Sequence, residues 1–436
     1  TNTNIDELMA AGRIEGEYNT TWGVANYNTS YAPNAIDPTV FADTEGRMWM
    51  CYGSWSGGIY LLEIDPATGD AIYPGKDGTT EDGRVIDKYF GTRLAGGFGI
   101  SGEGPYILYD EATKYYYLYT TYNYLDSVSG YNMRLFRSEK PEGPYLDAAG
   151  NNAAFENRFT NQFQIGIKVM GNYKFSNNSQ GYRSPGHNSA FIDEDGQRYL
   201  LYHTRFENNG ERFELRVHQQ FINEDGWPVT AVFENRNDLI SATGYEKSDI
   251  VGVYEFINHG ISSDGAGVKY PDIIVLHEDG TINGDHTGTW EEKEGTYLAT
   301  FVIGDVTYKG VFFKQHDEKL KSGLVMTFTA IGSNNETIWG VKSAEGTEYK
   351  ERVVEEDGAP ATDFSAVDKE PVVKLTFEDS KGIELAGDAK VADGVLSLAK
   401  TASSYNKTYA KIPDITGFDF SKGIPLTADI LVNKYE

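Results

Sequence analysis

The sequence predicts an all-β chain: a partial β-propeller, then a β-barrel-like domain, then the start of a β-sandwich. Three observations predict it. The 436 residues include 48 glycines, and their short apolar runs read as strands joined by turns. The first half carries a spaced repeat. From about residue 233 the pattern changes to amphipathic strands without that repeat.

The repeat is seen in NAIDPTVFADTEGRMWMCYGSW from Asn34, GEGPYILYDEATKYYYLYTTY from Gly102 and GHNSAFIDEDGQRYLLYHTRF from Gly186. Asp43, Asp110 and Asp193 anchor the units, 67 and then 83 residues apart. Six residues after each anchor stands an aromatic: Trp49, Tyr116, Tyr199. Nine residues after it stands a tyrosine: Tyr52, Tyr119, Tyr202. Turn-forming residues follow each Asp, so each unit reads as strand, tight turn, strand. The spacing suits a four-stranded propeller blade with insertions. A polar residue precedes each anchor by six or seven positions: Asp37, Glu103, His187. The innermost strand of a blade lines the central channel, so equivalent positions converge on its axis. Two carboxylates and an imidazole should therefore meet.

The other elements follow in order. Residues 1–33 read as a helical stretch, IDELMAAG, and a polar loop feeding the first unit. RVHQQFINEDGWPVT at 216–230 reads as a hairpin turning at Asn223–Gly226, and residues 1–232 form the propeller region. Amphipathic strands over 233–348 predict an antiparallel barrel-like domain that braces the propeller. Residues 349–370 are charged and Pro/Ala-bearing, which reads as a linker. Residues 371–436 open a new β pattern resembling a truncated laminin-G or concanavalin-like sandwich.

A net charge of −27 repels phosphate backbones and makes nucleic acid an unfavourable partner. A neutral polysaccharide meets no such repulsion. The single cysteine, Cys51, excludes an intrachain disulfide and reads as core. No window approaches 18 consecutive apolar residues, so no membrane-spanning helix is predicted. The start on Thr1 and the end after LTADILV read as cuts in a longer protein, with no signal peptide in this stretch.

Taken singly, each candidate has an ordinary reading. Asp37 precedes Pro38 and would start a turn. Glu103 lies between glycines, where a solvated loop Glu is usual. A lone histidine such as His187 is more often structural than a ligand. Trp55 serves equally as packing or as a sugar platform. Asp43, Asp110 and Asp193 fit turns and are assigned no catalysis.

Together, NAIDP, YGSWSGGI, GEGPYI and SPGHNSA resemble the five-bladed propellers of glycoside hydrolase family 43, the endo-arabinanases in particular. The resemblance covers roughly residues 1–230. It implies inverting hydrolysis of α-1,5-linked arabinan by an extracellular or cell-surface enzyme. By motif, Glu103 would be the general acid and Asp37 the residue tuning it. His187 would hold a water-coordinated metal, usually calcium. An acid needs to keep its proton near neutral pH, and a second ionised carboxylate favours that, because like charges resist joint ionisation. Trp55 is the first candidate for a sugar-stacking platform, with Ser54 and the neighbouring glycines allowing close approach. Asn34, Phe98 and Arg134 are further binding candidates, Arg134 as a partner of Glu103 or Asp37 or else as a strand-surface charge. The family's general base is an Asp in an HDPS-like segment, which this sequence lacks, so the first two blades and the base are expected upstream. Other readings are an arabinofuranosidase or xylosidase of the same family, or a carbohydrate-binding protein without catalysis.

Overall fold

Three antiparallel sheets and a closed barrel make up the computed structural model, which describes residues 9–12, 32–319, 323–349 and the short stretches 384–386, 390–392, 395–397 and 409–411. The first sheet has seven strands: β1 (Thr39–Ala42), β2 (Met48–Tyr52), β3 (Ile59–Ile64), β4 (Ala71–Ile72), β5 (Gly78–Thr79), β6 (Val85–Asp87) and β7 (Gly91–Ala95). Their order is β1-β2-β3-β7-β6-β5, with β4 paired to β3. The second sheet has four strands, β8 (Glu103–Asp110), β9 (Tyr115–Tyr122), β10 (Asn132–Ser138) and β11 (Ile167–Lys168), in sequence order. The third repeats that plan with β12 (Tyr182–Ile192), β13 (Arg198–Phe206), β14 (Phe213–Ile222) and β15 (Pro228–Thr230). Each repeat unit thus opens a sheet with its first two strands.

The anchor aspartates make the turns. Asp43 Oδ1 accepts from the backbone N–H of Glu45 and Arg47, and its Oδ2 accepts from Trp49 Nε1 at 2.9 Å. Asp193 Oδ1 accepts from the N–H of Asp195 and Gln197. Asp110 accepts from the N–H of Ala112 and is gripped by both donors of the Arg198 fork. A side-chain oxygen that closes its own turn explains why Asp recurs there. The repeated aromatics are all buried: Trp49, Tyr116 and Tyr199, then Tyr52, Tyr119 and Tyr202. Cys51 is also core. The hairpin at 216–230 forms as expected, with Asn223 Oδ1 capping the N–H of Asp225 and Trp227. Of the stretch expected to be helical near the start, only residues 9–12 are described, and Met9 and Ala10 are helical.

Eight strands close the barrel: β16 (Gly252–Asn258), β17 (Asp272–Leu276), β18 (Thr281–Gly284), β19 (Gly288–Glu292), β20 (Leu298–Ile303), β21 (Val306–His316), β22 (Leu324–Gly332) and β23 (Thr337–Lys342). Closure comes from β16 pairing with β23, Phe256 opposite Gly340. Tyr254, Phe301, Phe312 and Phe328 fill the interior. The barrel is not a separate appendage. Tyr173, Phe175, Trp227 and Phe233 share one apolar core with Val311, Phe313, Trp339 and Val341, and Thr1–Arg352 forms one compact unit.

Val353–Glu436 forms a second unit. Within it, Glu384–Ala386 pairs with Tyr409–Lys411, and Lys390–Ala392 with Val395–Ser397. The expected linker from residue 350 onward lies outside the described residues, as does most of the expected sandwich.

Candidate active site

Asp37, Glu103 and His187 do converge. Glu103 opens β8, Asp37 lies two residues before β1, and His187 lies within β12. The strands β1, β8 and β12 are neighbours. His187 Nε2 stands 3.8 Å from Asp37 Oδ1, and His187 Nδ1 stands 4.0 Å from Glu103 Oε1. The backbone N–H of Gly104 donates to Asp37 Oδ2 at 3.3 Å. Glu103 and Asp37 are largely covered, with side chains 16% and 17% exposed, while His187 is 38% exposed. Two like charges and one imidazole on a face still open to solvent is a poor design for stability, because the nearest neighbour of each carboxylate is not a fixed cation.

The backbone here is strained. Asp37, Trp55, Ser56, Phe98 and His187 all sit at φ between +40° and +60°, a region that side-chain-bearing residues rarely occupy. Such strain persists only where surrounding structure imposes it, and it clusters at functional sites. For Trp55 the constraint is visible: its N–H donates to Gly102 O at 2.8 Å, and Gly58 N–H donates to Trp55 O at 2.7 Å. Gly58 could not be replaced, since a Cβ there would lie 2.5 Å from Ala95 O.

Trp55 faces the acid directly. Its Nε1 donates to Glu103 Oε2 at 2.9 Å, and its ring packs on Tyr124 with centroids 4.9 Å apart. Asn34 and Ser54 turn inward instead. Asn34 Nδ2 donates to Ser54 O at 2.8 Å, and Ser56 Oγ donates to Asn34 Oδ1 at 3.3 Å, so Asn34 holds the 53–58 loop and Ser54 is buried. Phe98 lies beside that loop, where Gly99 N–H donates to Ser56 O, and Arg93 covers its ring at 5.0 Å.

Arg134 must be reassigned. It is fully buried and pairs with neither Glu103 nor Asp37. Its Nε donates to Asn132 Oδ1 at 2.7 Å, its Nη1 to Gly166 O at 3.2 Å and its Nη2 to Ile261 O, with the guanidinium over the Tyr122 ring. Backbone carbonyls and an aromatic face let this cation be buried, and they tie the second sheet to the loop after β16.

Sequence reasoning missed Tyr131. Its hydroxyl donates to Glu103 Oε1 and lies 3.3 Å from His187 Nδ1. Burial, and then the charge of Glu103, push this phenol well above its ordinary range, so it stays a neutral hydroxyl. His203 was missed too. Its ring stacks on Tyr131 and faces His187, with centroids 5.9 and 6.3 Å away. Burial, then Arg205 and His187, lower its pKa to about 4, which keeps it neutral. Tyr131 lies outside the repeat, so no spacing signal marked it.

For a metal, the Asp37 and Glu103 cluster has His187 as its imidazole among the described residues. Calcium takes six to eight oxygen ligands, and among the described residues no group of three His, Cys, Asp or Glu could hold a metal ion. The donor set at His187 fits an ion coordinated mainly by water and nothing tighter. Clefts of about 400 Å³ (lined by Gly260, Asp264, Lys269 and Glu336, among others) and about 330 Å³ (lined by Thr44, Tyr109 and Tyr115, among others) involve none of these residues.

Two carboxyl groups on one imidazole, one of them beside an indole, at the first strands of three antiparallel sheets, are the equipment of a glycosidase. The chain belongs to the glycosyl hydrolases family 43, which matches residues 3–228, and residues 234–340 match the C-terminal lipocalin-like domain found with it. It is 41% identical over 331 residues to an extracellular endo-α-(1→5)-L-arabinanase 2 of Bacillus subtilis, an alignment covering 72% of this chain and 66% of that protein. It is 42% identical to the extracellular endo-α-(1→5)-L-arabinanase of Thermotoga petrophila, covering 73% of this chain and 66% of that protein. The crystal structure of the endo-1,5-α-L-arabinanase from Thermotoga petrophila superposes with a TM-score of 0.66 at 41% identity, covering 74% of this chain and 70% of that one. The chain thus spans about two thirds of the length of these curated relatives.

Proposed function

We propose that this chain is the acid-bearing part of an extracellular endo-arabinanase that cleaves internal α-1,5-L-arabinofuranosidic bonds with inversion, on a five-bladed propeller. The observation that carries the reading is the placement of His187 within 4.0 Å of both Asp37 and Glu103, at the positions the family motifs mark. Glu103 protonates the departing glycosidic oxygen. Asp37 supplies the like charge that favours a proton on its neighbour. The base that activates water on the opposite face of the sugar is, on the resemblance, an Asp of an HDPS-like segment that residues 1–436 do not contain. Trp55, with Tyr124 packed on it, offers the aromatic surface on which a sugar ring would rest.

The hydrogen-bond roles at Glu103 are consistent with acid work. Trp55 donates to Oε2 and Tyr131 to Oε1, so neither takes the acid's own proton, which is left for the leaving oxygen. Calcium held at His187 among waters would supply a fixed positive charge beside the carboxylates. The test is hydrolysis of linear arabinan by the full-length protein beside its Glu103→Ala variant. Release of arabino-oligosaccharides by the wild type alone is expected. No release by the wild type would sink the reading.

A further inference from the structure

We propose that Tyr131 is a positioning residue that, with Trp55, clamps both oxygens of Glu103 and aims its acidic proton at the leaving group. The proposal rests on the reading of Glu103 as general acid. Three features of the fold carry it.

First, the clamp is complete. The Tyr131 hydroxyl takes Oε1 and Trp55 Nε1 takes Oε2, so rotation of the carboxyl about its last bond would break two hydrogen bonds at once. The terminal torsion of a glutamate is otherwise broad and soft. Second, the Tyr131 ring cannot move. A Cβ on Gly186 would collide with its Cδ1 and Cε1, so the ring lies flat against the backbone of β12, while the His203 ring stacks on Tyr131 with a 14° interplanar angle. Tyr131 itself is wholly buried. Third, the two donors come from different sheets. Tyr131 immediately precedes β10, and Trp55 sits in the β2–β3 connection. The direction of the carboxyl is therefore set by the packing of one sheet on the next.

Proton transfer requires near-linear geometry, and about 1 Å of misplacement costs on the order of 10²-fold in rate. A clamp of this kind acts only when the leaving group needs a proton. The full-length protein is assayed on linear arabinan and on an arabino-oligosaccharide carrying a dinitrophenolate leaving group, which departs without protonation. Tyr131→Phe, which removes one oxygen, is expected to lower kcat on arabinan by about 10²-fold, leave KM within about twofold, and lower kcat on the aryl substrate by less than about threefold. Trp55→Phe removes the other donor and keeps an aromatic ring; it should show the same split, and it carries the test if Tyr131→Phe does not fold. Equal losses on both substrates, or full activity of both variants on arabinan, overturn the clamp. Glu103→Gln separates the two readings. If it shows the leaving-group split and the clamp variants do not, the clamp alone fails. If Glu103→Gln itself shows no split, the acid assignment fails and the clamp with it.

Discussion

Where the second sheet meets the loop after β16, the Lys168 ammonium is wholly enclosed and has a fixed partner on every side. It donates to His259 O at 3.0 Å, Ser262 O at 2.7 Å and Asp264 Oδ1 at 2.8 Å. Asp264 Oδ2 in turn accepts from Asn172 N–H. Burial still pulls Lys168 down to about 8, against the attraction of Asp264. On the inner face of the sheets the rule is reversed. Asp37 and Glu103 are both carboxyl groups, and the nearest imidazole stands at 3.8 and 4.0 Å. The first cluster spends its charges on each other and holds the sheets to the barrel. The second leaves them uncompensated on strained backbone, which stability alone would not select. Opposite signs at hydrogen-bond distance mark architecture here, whereas the two carboxyl groups share only an imidazole, at 3.8 and 4.0 Å.

That contrast can be broken by mutation, and the largest effect is expected at Glu103, the proposed acid. In the full-length protein, Glu103→Ala should lower kcat/KM on linear arabinan by roughly 10³–10⁴-fold, the upper range for general acid catalysis. Its melting temperature should match the wild type within a degree or two. A variant that melts much lower would show that the carboxylate is structural. Asp264→Ala is the mirror experiment. It leaves Lys168 buried without its anion, which costs about 3–5 kcal/mol, read as a lower midpoint of denaturant unfolding. Activity per folded molecule should stay within a few-fold. Asp37→Asn comes next, with kcat/KM of the full-length protein down roughly 10- to 100-fold within the usual range for acid–base groups and stability little changed, since the amide oxygen can still accept from the Gly104 N–H. A destabilised Asp37→Asn would place that residue with the architectural cluster.

Much of this was legible in the sequence because it rests on local chemistry. An Asp closing its own turn and an aromatic six residues on are set by strand and turn geometry, and the three units show both. The start of each repeat unit carried Asp37, Glu103 and His187 together because the repeat sets equivalent positions side by side. Other parts depend on contacts that leave no trace along the chain. Arg134 reads as a surface charge until the carbonyls of Gly166 and Ile261 are brought to it. Tyr131 reads as one tyrosine among 30 until Gly186 of another sheet fixes its ring. Asn34 reads as a sugar donor, but the 53–58 loop claims its amide first. The shared core of the sheets and the barrel was likewise invisible to a pattern that changes at residue 233.

The smallest expected effect separates the histidines. His187 is part exposed and faces carboxylates, whereas His218 is fully buried, with Nδ1 donating to Ala231 O at 2.8 Å and Nε2 3.1 Å from Tyr202 Oη. Burial lowers the pKa of His218 to about 4, against about 6.5 in an unfolded chain. Between those values the unfolded state binds the extra proton, so stability rises with pH. The contribution is fully present above about pH 6.5 and is lost as pH falls toward 4. Each unit within that window is worth about 1.4 kcal/mol, so at pH 5.5, one unit below the unfolded value, His218 should have cost the fold about 1.4 kcal/mol. Because carboxylates also begin to titrate there, the informative quantity is a difference: denaturant unfolding at pH 7.5 and 5.5 for the wild type and for His218→Gln. The variant should be less stable at pH 7.5, having lost a fitted ring, yet change less between the two values. An identical pH dependence would mean that the buried imidazole is protonated without cost, and burial would then not be what distinguishes the architectural histidine from the one on the open face.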